Sequence, residues 1–320
     1  MIHRRQTLAL LGAGFASLAA PAIRPARAAV SLRIGWQKNG VVALAKRQGA
    51  LEKRLAGRGV TVTWSEFTSG PPLLEALGAG ALDFGPTGDV PPLFAQAARG
   101  NLVYVGAYRG ASAGTGLLVH KDAPIQSLAD LKGRKLAFKR GSSAHNFVVK
   151  ALRSGGLGVG DVQAVDLAPP DAAAAFKTGS IDAWAIWDPY FAIAEADPQA
   201  RLLTTAEGIV DSWSFLLGNR SFAEANPEII TEVLDELGKV GAGAQKNLDQ
   251  SVADLSEITG VSADVTRKVL TRRGSDLSKI GPIPDEAVAY QQALADEFYS
   301  LGIVPKKLTI SDIVWRAKAS

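Results

Sequence analysis

Hydroxyl-bearing residues beside glycine occur at two places where an apolar strand precedes a helical stretch, Gly141-Ser142-Ser143 and Thr68-Ser69-Gly70. The first turn of a helix presents backbone N–H groups without intrahelical partners and a partial positive charge, so these residues are suited to an oxyanion. The alternative is that the serines are ordinary N-caps, and each serine taken singly favours that interpretation. Because the architecture derived below brings both segments to one cleft, together they predict an anion-binding site.

Asp89 and Asp188 each precede a helix start that contains proline, Val90-Pro91-Pro92 in the first case and Pro189 in the second. An N-cap Asp followed by Pro in the first turn is a common helix opening. A carboxylate that faced a bare anion would repel it. Capping is therefore the predicted role of both aspartates, although one carboxylate oxygen could still accept a hydrogen bond from the ligand.

His145 follows Ser143 by two residues, a proximity that invites a hydrolase interpretation. Residues two apart in a helix diverge by about 200° around its axis, which is wrong for a Ser–His pair. The chain has no cysteine, no G-x-S-x-G elbow, no Walker A loop, no G-x-G-x-x-G after the first strand and no metal-ligand cluster in sequence. We therefore predict a binding protein without catalytic residue, cofactor or metal, and a hydrolase or lyase is the less favoured alternative.

Two tryptophans are candidates for an apolar wall beside these serines. Trp36 follows the first predicted strand, and Trp187 ends the segment Trp184-Ala185-Ile186-Trp187. Trp184 is predicted to lie in the core, whereas Trp213 could lie in the core or at the cleft. An apolar wall next to anion-binding helix starts suits a ligand with a charged head and an alkyl or aryl tail.

A weak internal duplication predicts how these loops are brought together. Residues 71–89 align without a gap on residues 170–188, with identities at Pro71/Pro170, Ala76/Ala175, Gly80/Gly179, Asp83/Asp182 and Asp89/Asp188. Each copy is a helix that begins at proline and ends near glycine, followed by a short apolar strand and a turn with Asp. Strands that alternate with helices predict an α/β fold with parallel sheets.

Two such units in one chain predict two lobes with a cleft between their strand ends, where open α/β sheets bind ligands. We predict one lobe from 29–118 plus 217–320 and the other from 119–216, with crossover strands at 116–120 and 214–218 as the hinge. Six loops are expected at the cleft, and they are 36–40, 68–70, 87–89, 141–145, 168–170 and 187–189.

The N-terminus predicts export. Arg4 and Arg5 precede an uncharged apolar run over 8–20, which is too short to span a bilayer, and Ala26-Arg27-Ala28 offers a cleavage site. Removing the predicted signal peptide, 1–28, removes four arginines and no acidic residue, so the formal charge falls from +4 to zero. A nucleic-acid partner thereby loses its compositional support. We expect a periplasmic monomer, exported by either the Sec or the twin-arginine route.

Three strings in these loops are specific in combination: Thr87-Gly88-Asp89-Val90-Pro91-Pro92, Gly141-Ser142-Ser143-Ala144-His145-Asn146 and Asp182-Ala183-Trp184-Ala185-Ile186-Trp187-Asp188-Pro189-Tyr190. They resemble the periplasmic solute-binding proteins of ABC importers in the nitrate/sulfonate/taurine group, above all the aliphatic sulfonate-binding proteins. The resemblance implies a type II, Venus-flytrap fold with two hinge crossovers, and delivery of a sulfonate to a membrane permease driven by an ATPase subunit. Carried over by position, it implies a ligand site of Gln37, Ser69, Gly70, Thr87, Gly88, Asp89, Ser142, Ser143, His145, Trp187 and Asp188.

The ligand itself stays open at this point. The stretch Tyr108-Arg109-Gly110-Ala111-Ser112 departs from the family pattern, and Arg109 could either reach an anion as a charged donor or be solvated. Taurine, nitrate or a pyrimidine-like solute is the alternative to an alkanesulfonate. Taurine would require Asp89 or Asp188 to point inward, because its ammonium needs a carboxylate.

Overall fold

The computed structural model describes residues 30–274 and 276–316, so the predicted signal peptide lies outside the described residues. The strands are β1 (Val30–Trp36), β2 (Val60–Glu66), β3 (Phe84–Thr87), β4 (Leu102–Arg109), β5 (Thr115–His120), β6 (Lys135–Phe138), β7 (Gln163–Asp166), β8 (Ala183–Trp187), β9 (Ala200–Thr205), β10 (Trp213–Asn219) and β11 (Gly281–Pro282). The helices are α1 (Gly40–Gln48), α2 (Ala50–Leu55), α3 (Gly70–Gly78), α4 (Pro91–Ala97), α5 (Ser143–Ser154), α6 (Pro169–Lys177), α7 (Tyr190–Glu195), α8 (Arg220–Ala225), α9 (Pro227–Lys246), α10 (Leu248–Thr259), α11 (Ala263–Leu270) and α12 (Asp285–Ser300).

Two separate sheets form the two lobes. The first has the strand order β11-β4-β10-β3-β1-β2, and the second has the order β7-β6-β8-β5-β9. The two orders match over five positions: β2, β1, β3, β10 and β4 of the first sheet correspond in turn to β7, β6, β8, β5 and β9 of the second. In both sheets the third strand pairs antiparallel with the fourth, β3 with β10 and β8 with β5. The predicted two-lobed α/β architecture is confirmed.

The duplicated segments have the same local geometry. Gly80 and Gly179 both adopt the left-handed conformation, at φ 78° and 72°, which ends the α3 and α6 segments as the G-x-(I/L)-D pattern predicts. The carboxylates of Asp83 and Asp182 each accept a backbone N–H from a neighbouring strand, Arg33 of β1 at 2.8 Å and Lys135 of β6 at 2.7 Å. This aspartate therefore ties each helix–strand unit to the neighbouring strand.

The strands predicted as the hinge are not the connections between the two sheets. Strands β5 and β10 are each hydrogen-bonded on both sides within a single sheet, so neither can serve as a flexible connection. The chain passes between the sheets just before each of them, at 110–114 and at 206–212. The predicted lobe boundaries after 118 and 216 fall inside these two strands, and the extent of each lobe stays a prediction.

Helices cover both faces of each sheet and bury its apolar residues. One core of the first lobe packs β1 against α1, α2 and α9, and the other packs β4 and β10 against α3, α4 and α12. In the second lobe α5 covers one face, whereas α6 and α7 cover the other. Trp184 is buried in this last core, as predicted. None of the helices within 30–274 and 276–316 is long and apolar enough to cross a membrane.

Candidate ligand-binding site

A cavity of about 210 Å³ lies where loops from the two sheets meet, and we call the residues that line it the cavity wall. Both lobes contribute, since the loops after β1, β3, β6 and β8 all reach it. The predicted site residues in the wall are Gln37, Gly70, Thr87, Gly88, Asp89, Ser142, Ser143, Trp187 and Asp188. The structure thus brings together residues that are far apart in sequence.

Four helices begin at this wall: Gly40 starts α1, Gly70 starts α3, Pro91 starts α4 and Ser143 starts α5. The first-turn N–H groups of a helix have no intrahelical partner, and the helix dipole places a partial positive charge there. Proline has no N–H, so α4 offers no such donor at Pro91 or Pro92, and the start of α3 offers only that of Gly70 before Pro71 and Pro72. We call Gly40, Gly70, Thr87, Ser142 and Ser143 the polar wall, and a small oxyanion is the ligand class that such neutral donors hold best.

The side chains at these helix starts do not use up the free donors. Ser69 and Ser142 are the N-caps of α3 and α5, but neither makes a capping hydrogen bond with its side chain. The Ser142 hydroxyl donates instead to the Lys139 carbonyl at 2.7 Å. Thr87 Oγ1 is buried without a hydrogen-bond partner in the structure, and such a group gains most from a ligand that meets it. Ordinary capping, the alternative interpretation of the two serines, is therefore not observed.

Two glycines of the wall have no room for a side chain. A Cβ built on Gly70 would lie 2.3 Å from Thr87 Oγ1, and one built on Gly88 would lie 1.7 Å from Ser143 Oγ. Neither residue has a positive φ, so the constraint is close approach and not backbone conformation. At Gly88 the approach is between the lobes, because Ser143 belongs to α5 of the second lobe.

Asp89 is buried at the contact between the lobes. Its carboxylate accepts hydrogen bonds from Asn146 Nδ2 and from the Tyr290 hydroxyl, both at 2.7 Å, and from the backbone N–H of Val90 at 2.9 Å. Burial raises the pKa of the Asp89 carboxyl, and these donors oppose the rise. The predicted capping role is wrong for Asp89, since the N-cap of α4 is Val90 and the carboxylate is engaged by α5 and α12.

Asp188, the counterpart of Asp89 in the duplication, has charged partners. Its Oδ1 accepts the backbone N–H of Ala192 at 3.0 Å, in the first turn of α7, although the N-cap of that helix is Pro189 and not Asp188 as predicted. Arg272 Nε donates to Oδ2 at 2.9 Å, and both side chains are only 11% exposed. Burial raises the pKa of Asp188, and the Arg272 guanidinium opposes that rise.

Apolar side chains form another part of the wall, which we call the apolar wall: Trp187, Val210, Trp213, Val269 and Leu277. The Arg109 guanidinium stacks over the Trp213 ring with 4.6 Å from Cζ to the ring centroid. Arg109 also pairs with Glu286 and lies 3.9 Å from Asp211, so acidic side chains already engage its charge. An alkyl or aryl group is the ligand part that suits such a wall.

Comparison with known proteins identifies the group to which this chain is related. The model of the NMT1/THI5-like family matches residues 56–242. An aliphatic sulfonates-binding protein of Escherichia coli is 40% identical over 98% of this chain and 97% of its own length. The chain belongs to the NMT1/THI5-like family. The predicted membership among sulfonate-type binding proteins is thereby confirmed.

Two solved structures of relatives share the fold. The alkanesulfonate-binding protein SsuA of Xanthomonas axonopodis pv. citri, bound to MOPS, superposes with a TM-score of 0.85 at 37% identity, over 90% of this chain and 99% of that one. The periplasmic aliphatic sulphonate-binding protein SsuA of Escherichia coli gives a TM-score of 0.80 at 42% identity, over 90% and 92% of the two chains. The predicted periplasmic-binding-protein fold is confirmed.

In the present chain, two of the predicted ligand residues lie outside the cavity wall. His145 is buried between the rings of Phe138 and Phe298, and its Nδ1 accepts the Gly141 N–H at 3.3 Å. Burial lowers the pKa of His145 to about 4, so the ring is neutral at physiological pH. The separation of about 200° from Ser143 explains this placement, because Ser143 occupies the cavity side of α5. Ser69 is also buried and does not line the cavity. Its neighbour Gly70 lines the cavity instead.

Two further expectations about the wall are wrong. Trp36 is 5% exposed and packs in the core beneath α1, with Lys46 over its ring, because β1 ends with this side chain on the covered face of the sheet. The loop 168–170 does not line the cavity, although its counterpart in the first lobe, which likewise follows an edge strand, contributes Gly70. Trp213 meets both alternatives, since it lines the cavity and also packs in a core of the first lobe.

Sequence reasoning missed the residues that hold the two aspartates. Asn146 belongs to the Gly141–Asn146 string, so its position after the hydroxyls was an available signal. Tyr290 and Arg272 come from the C-terminal part of the first lobe, in α12 and just after α11. They have no counterpart in the duplication, and no local pattern in the sequence connects them with positions 89 and 188.

Proposed function

We propose that this protein is the extracytoplasmic solute-binding subunit of an ABC importer, which captures aliphatic sulfonates in the cavity between its lobes. The observation that carries the proposal is the polar wall, where three helix starts and an unpartnered threonine hydroxyl converge in a chain 40% identical to an aliphatic sulfonates-binding protein. A sulfonate is a permanent monoanion with three acceptor oxygens, which neutral N–H and O–H donors can satisfy.

The charges of the wall support a monoanion with an uncharged tail. Burial favours the neutral form of Asp89, which reduces its repulsion of a nearby anion. Asp188 is neutralised by Arg272. The apolar wall then accommodates an alkyl or aryl tail, so an alkanesulfonate fits better than nitrate, which has no tail. It also fits better than taurine, because the three wall aspartates that could meet an ammonium, Asp89, Asp188 and Asp276, are already hydrogen-bonded within the protein.

A binding role without chemistry follows from the arrangement of the potential nucleophiles. Ser142 and Ser143 lie in the wall, but His145 is turned into the core, and no other described histidine lines the cavity. The Ser142 hydroxyl donates to a backbone carbonyl, and Ser143 is hydrogen-bonded to Asp89, whose neutral form burial favours, so neither serine has a histidine to activate it. We therefore expect a bound sulfonate to be recovered unchanged after prolonged incubation, as measured by mass spectrometry; release of sulfite or of a shortened product would favour a lyase or hydrolase.

Isothermal titration calorimetry with a series of alkanesulfonates tests the proposed function. We expect micromolar dissociation constants, which correspond to a binding free energy of about −8 kcal/mol. At a ligand concentration of 100 Kd the free energy of unfolding should rise by about 2.7 kcal/mol. Absence of binding and of thermal stabilisation by every alkanesulfonate tested, with the protein shown to be folded by circular dichroism, would overturn the proposal.

The proposal includes export and delivery. The SsuA relative of Escherichia coli is periplasmic. For this chain we propose a signal peptide cleaved near Ala28 and a periplasmic monomer that delivers its ligand to a permease and its ATPase subunit. N-terminal sequencing of the protein from a periplasmic fraction should begin at or near Ala29, and an intact Met1 start in a cytoplasmic fraction would contradict export.

A further inference from the structure

The carboxylate of Asp188 lies at the cavity wall and is held from the side by Arg272. A Cβ built on Gly114, another wall residue, would lie 3.1 Å from Asp188 Oδ2, so the carboxylate borders the cavity there. Arg272 approaches with Nε 2.9 Å from Oδ2 and Nη2 3.3 Å from Oδ1. Arg272 itself is not part of the wall. The cavity is therefore bordered by a carboxylate whose charge is already balanced.

The guanidinium is fixed in this position by two further contacts. Its Nη2 donates to Glu195 at 2.8 Å, and its plane lies over the Phe191 ring with Cζ 4.5 Å from the centroid. Arg272 follows α11 of the first lobe, whereas Asp188, Phe191 and Glu195 belong to the second lobe. An arginine that is paired bidentately and stacked on a ring loses its partner only at a large cost, so a ligand ammonium cannot easily displace it.

We propose that Arg272 is a specificity-determining residue that excludes sulfonates with an amino group on the tail. By occupying Asp188 it removes the wall carboxylate beside Gly114 from use by a ligand ammonium. The remaining wall aspartates, Asp89 and Asp276, already accept hydrogen bonds from other groups of the protein. The pairing of Arg272 with Asp188 also keeps an unbalanced negative charge away from the sulfonate. This inference rests on the proposed function, because it concerns which sulfonates the cavity accepts.

The two ligands that test it are propane-1-sulfonate and taurine, which have the same chain length and differ in a terminal methyl or ammonium. We expect the wild-type protein to prefer propane-1-sulfonate in calorimetric titrations. In Arg272→Met, the ratio of the taurine Kd to the propane-1-sulfonate Kd should fall at least tenfold, because Asp188 becomes available to the ammonium. In the double variant Arg272→Met/Asp188→Asn the ratio should return toward the wild-type value.

Lys268→Met is the matched control. Lys268 pairs with Glu195 at 2.8 Å in the same cluster but has no bond to Asp188, so its loss should leave the ratio within about twofold of the wild type. An unchanged ratio in Arg272→Met, or an equal change in Lys268→Met, would overturn the inference. A ratio that stays low in the double variant would also overturn it, since Asp188 would then not be the ammonium partner.

A second measurement serves if Arg272→Met does not fold. In Asp188→Asn with Arg272 intact, the inference requires no selective loss of taurine binding, because the wild-type carboxylate is not available to the ligand. A selective loss of tenfold or more would show that Asp188 already binds the ammonium. Failure of the inference is distinguishable from failure of the proposed function, since only the latter abolishes wild-type binding of propane-1-sulfonate.

Discussion

Asp89 and Asp188 occupy equivalent positions in the two lobes, yet they have different partners. Asp89 accepts hydrogen bonds from the neutral groups of Asn146 and Tyr290, whereas Asp188 is paired with the Arg272 cation. Both arrangements join one lobe to the other across the cavity. A duplicated position therefore keeps its place in the fold, while its chemistry is set by whichever side chain the rest of the chain brings to it.

The largest expected difference between the two sites is in stability. Arg272→Met leaves the carboxylate of Asp188 without its cation in a site where both side chains are 11% exposed, so the free energy of unfolding should fall by roughly 3–5 kcal/mol. At the other site Tyr290→Phe removes one neutral hydrogen bond and should cost about 1 kcal/mol. Urea denaturation followed by circular dichroism measures both. Equal losses in the two variants would show that the two aspartates are held by similar energies.

A smaller effect is expected from the residues just before the two aspartates, Gly88 and its counterpart Trp187. Gly88→Ala places a methyl group 1.7 Å from Ser143 Oγ, so the lobes cannot approach as closely and alkanesulfonate affinity should fall at least tenfold, about 1.4 kcal/mol. Titration calorimetry gives the change.

Gly57→Ala is the control for this glycine, because a Cβ there meets nothing within 4 Å. The alkanesulfonate affinity of Gly57→Ala should equal that of the wild type. If Gly88→Ala binds as tightly as Gly57→Ala, the close approach of Gly88 to Ser143 is not required in the bound state.

The last effect in this comparison concerns the proton on Asp89. Burial raises the pKa of this carboxyl in the folded protein above its unfolded value of about 3.9. Its contribution to stability is therefore fully present below the unfolded pKa and is lost as pH rises through the folded pKa. Asp89→Asn lacks this proton, so the stability of the wild type relative to the variant should decrease as pH rises from about 4 toward neutrality.

Urea denaturation of both proteins across that pH range checks the sign. Because burial lowers the pKa of His145 to about 4, this residue makes both proteins less stable as pH falls, which is the opposite dependence. Its contribution to the free energy of unfolding is the same in both proteins and cancels in their difference. A wild-type stability that increases with pH relative to Asp89→Asn would mean that the donors from Asn146 and Tyr290 outweigh the burial of the charge.

Much of the fold and part of the site were predictable from local patterns. The proline starts, the stops at Gly80 and Gly179 and the strand-bonding aspartates recur in both copies because each is decided within one helix–strand unit. The cavity positions of Gly70, Thr87 and Ser143 follow, since residues at the carboxyl ends of parallel strands meet at one edge of a sheet. The directions of His145 and Trp36 did not follow, because a helix start or strand end leaves open which side chain faces the cavity and which the core.

The sequence by itself determined the two α/β units and the helix starts that face each other, because those depend on residues close together in the chain. Only the tertiary structure decided that Tyr290 meets Asp89, that Arg272 meets Asp188 and that the chain passes between the sheets just before β5 and β10. These contacts depend on how the C-terminal helices pack onto the lobes, and hydrogen bonds and ion pairs across 84 or 201 residues leave no periodic trace in the sequence.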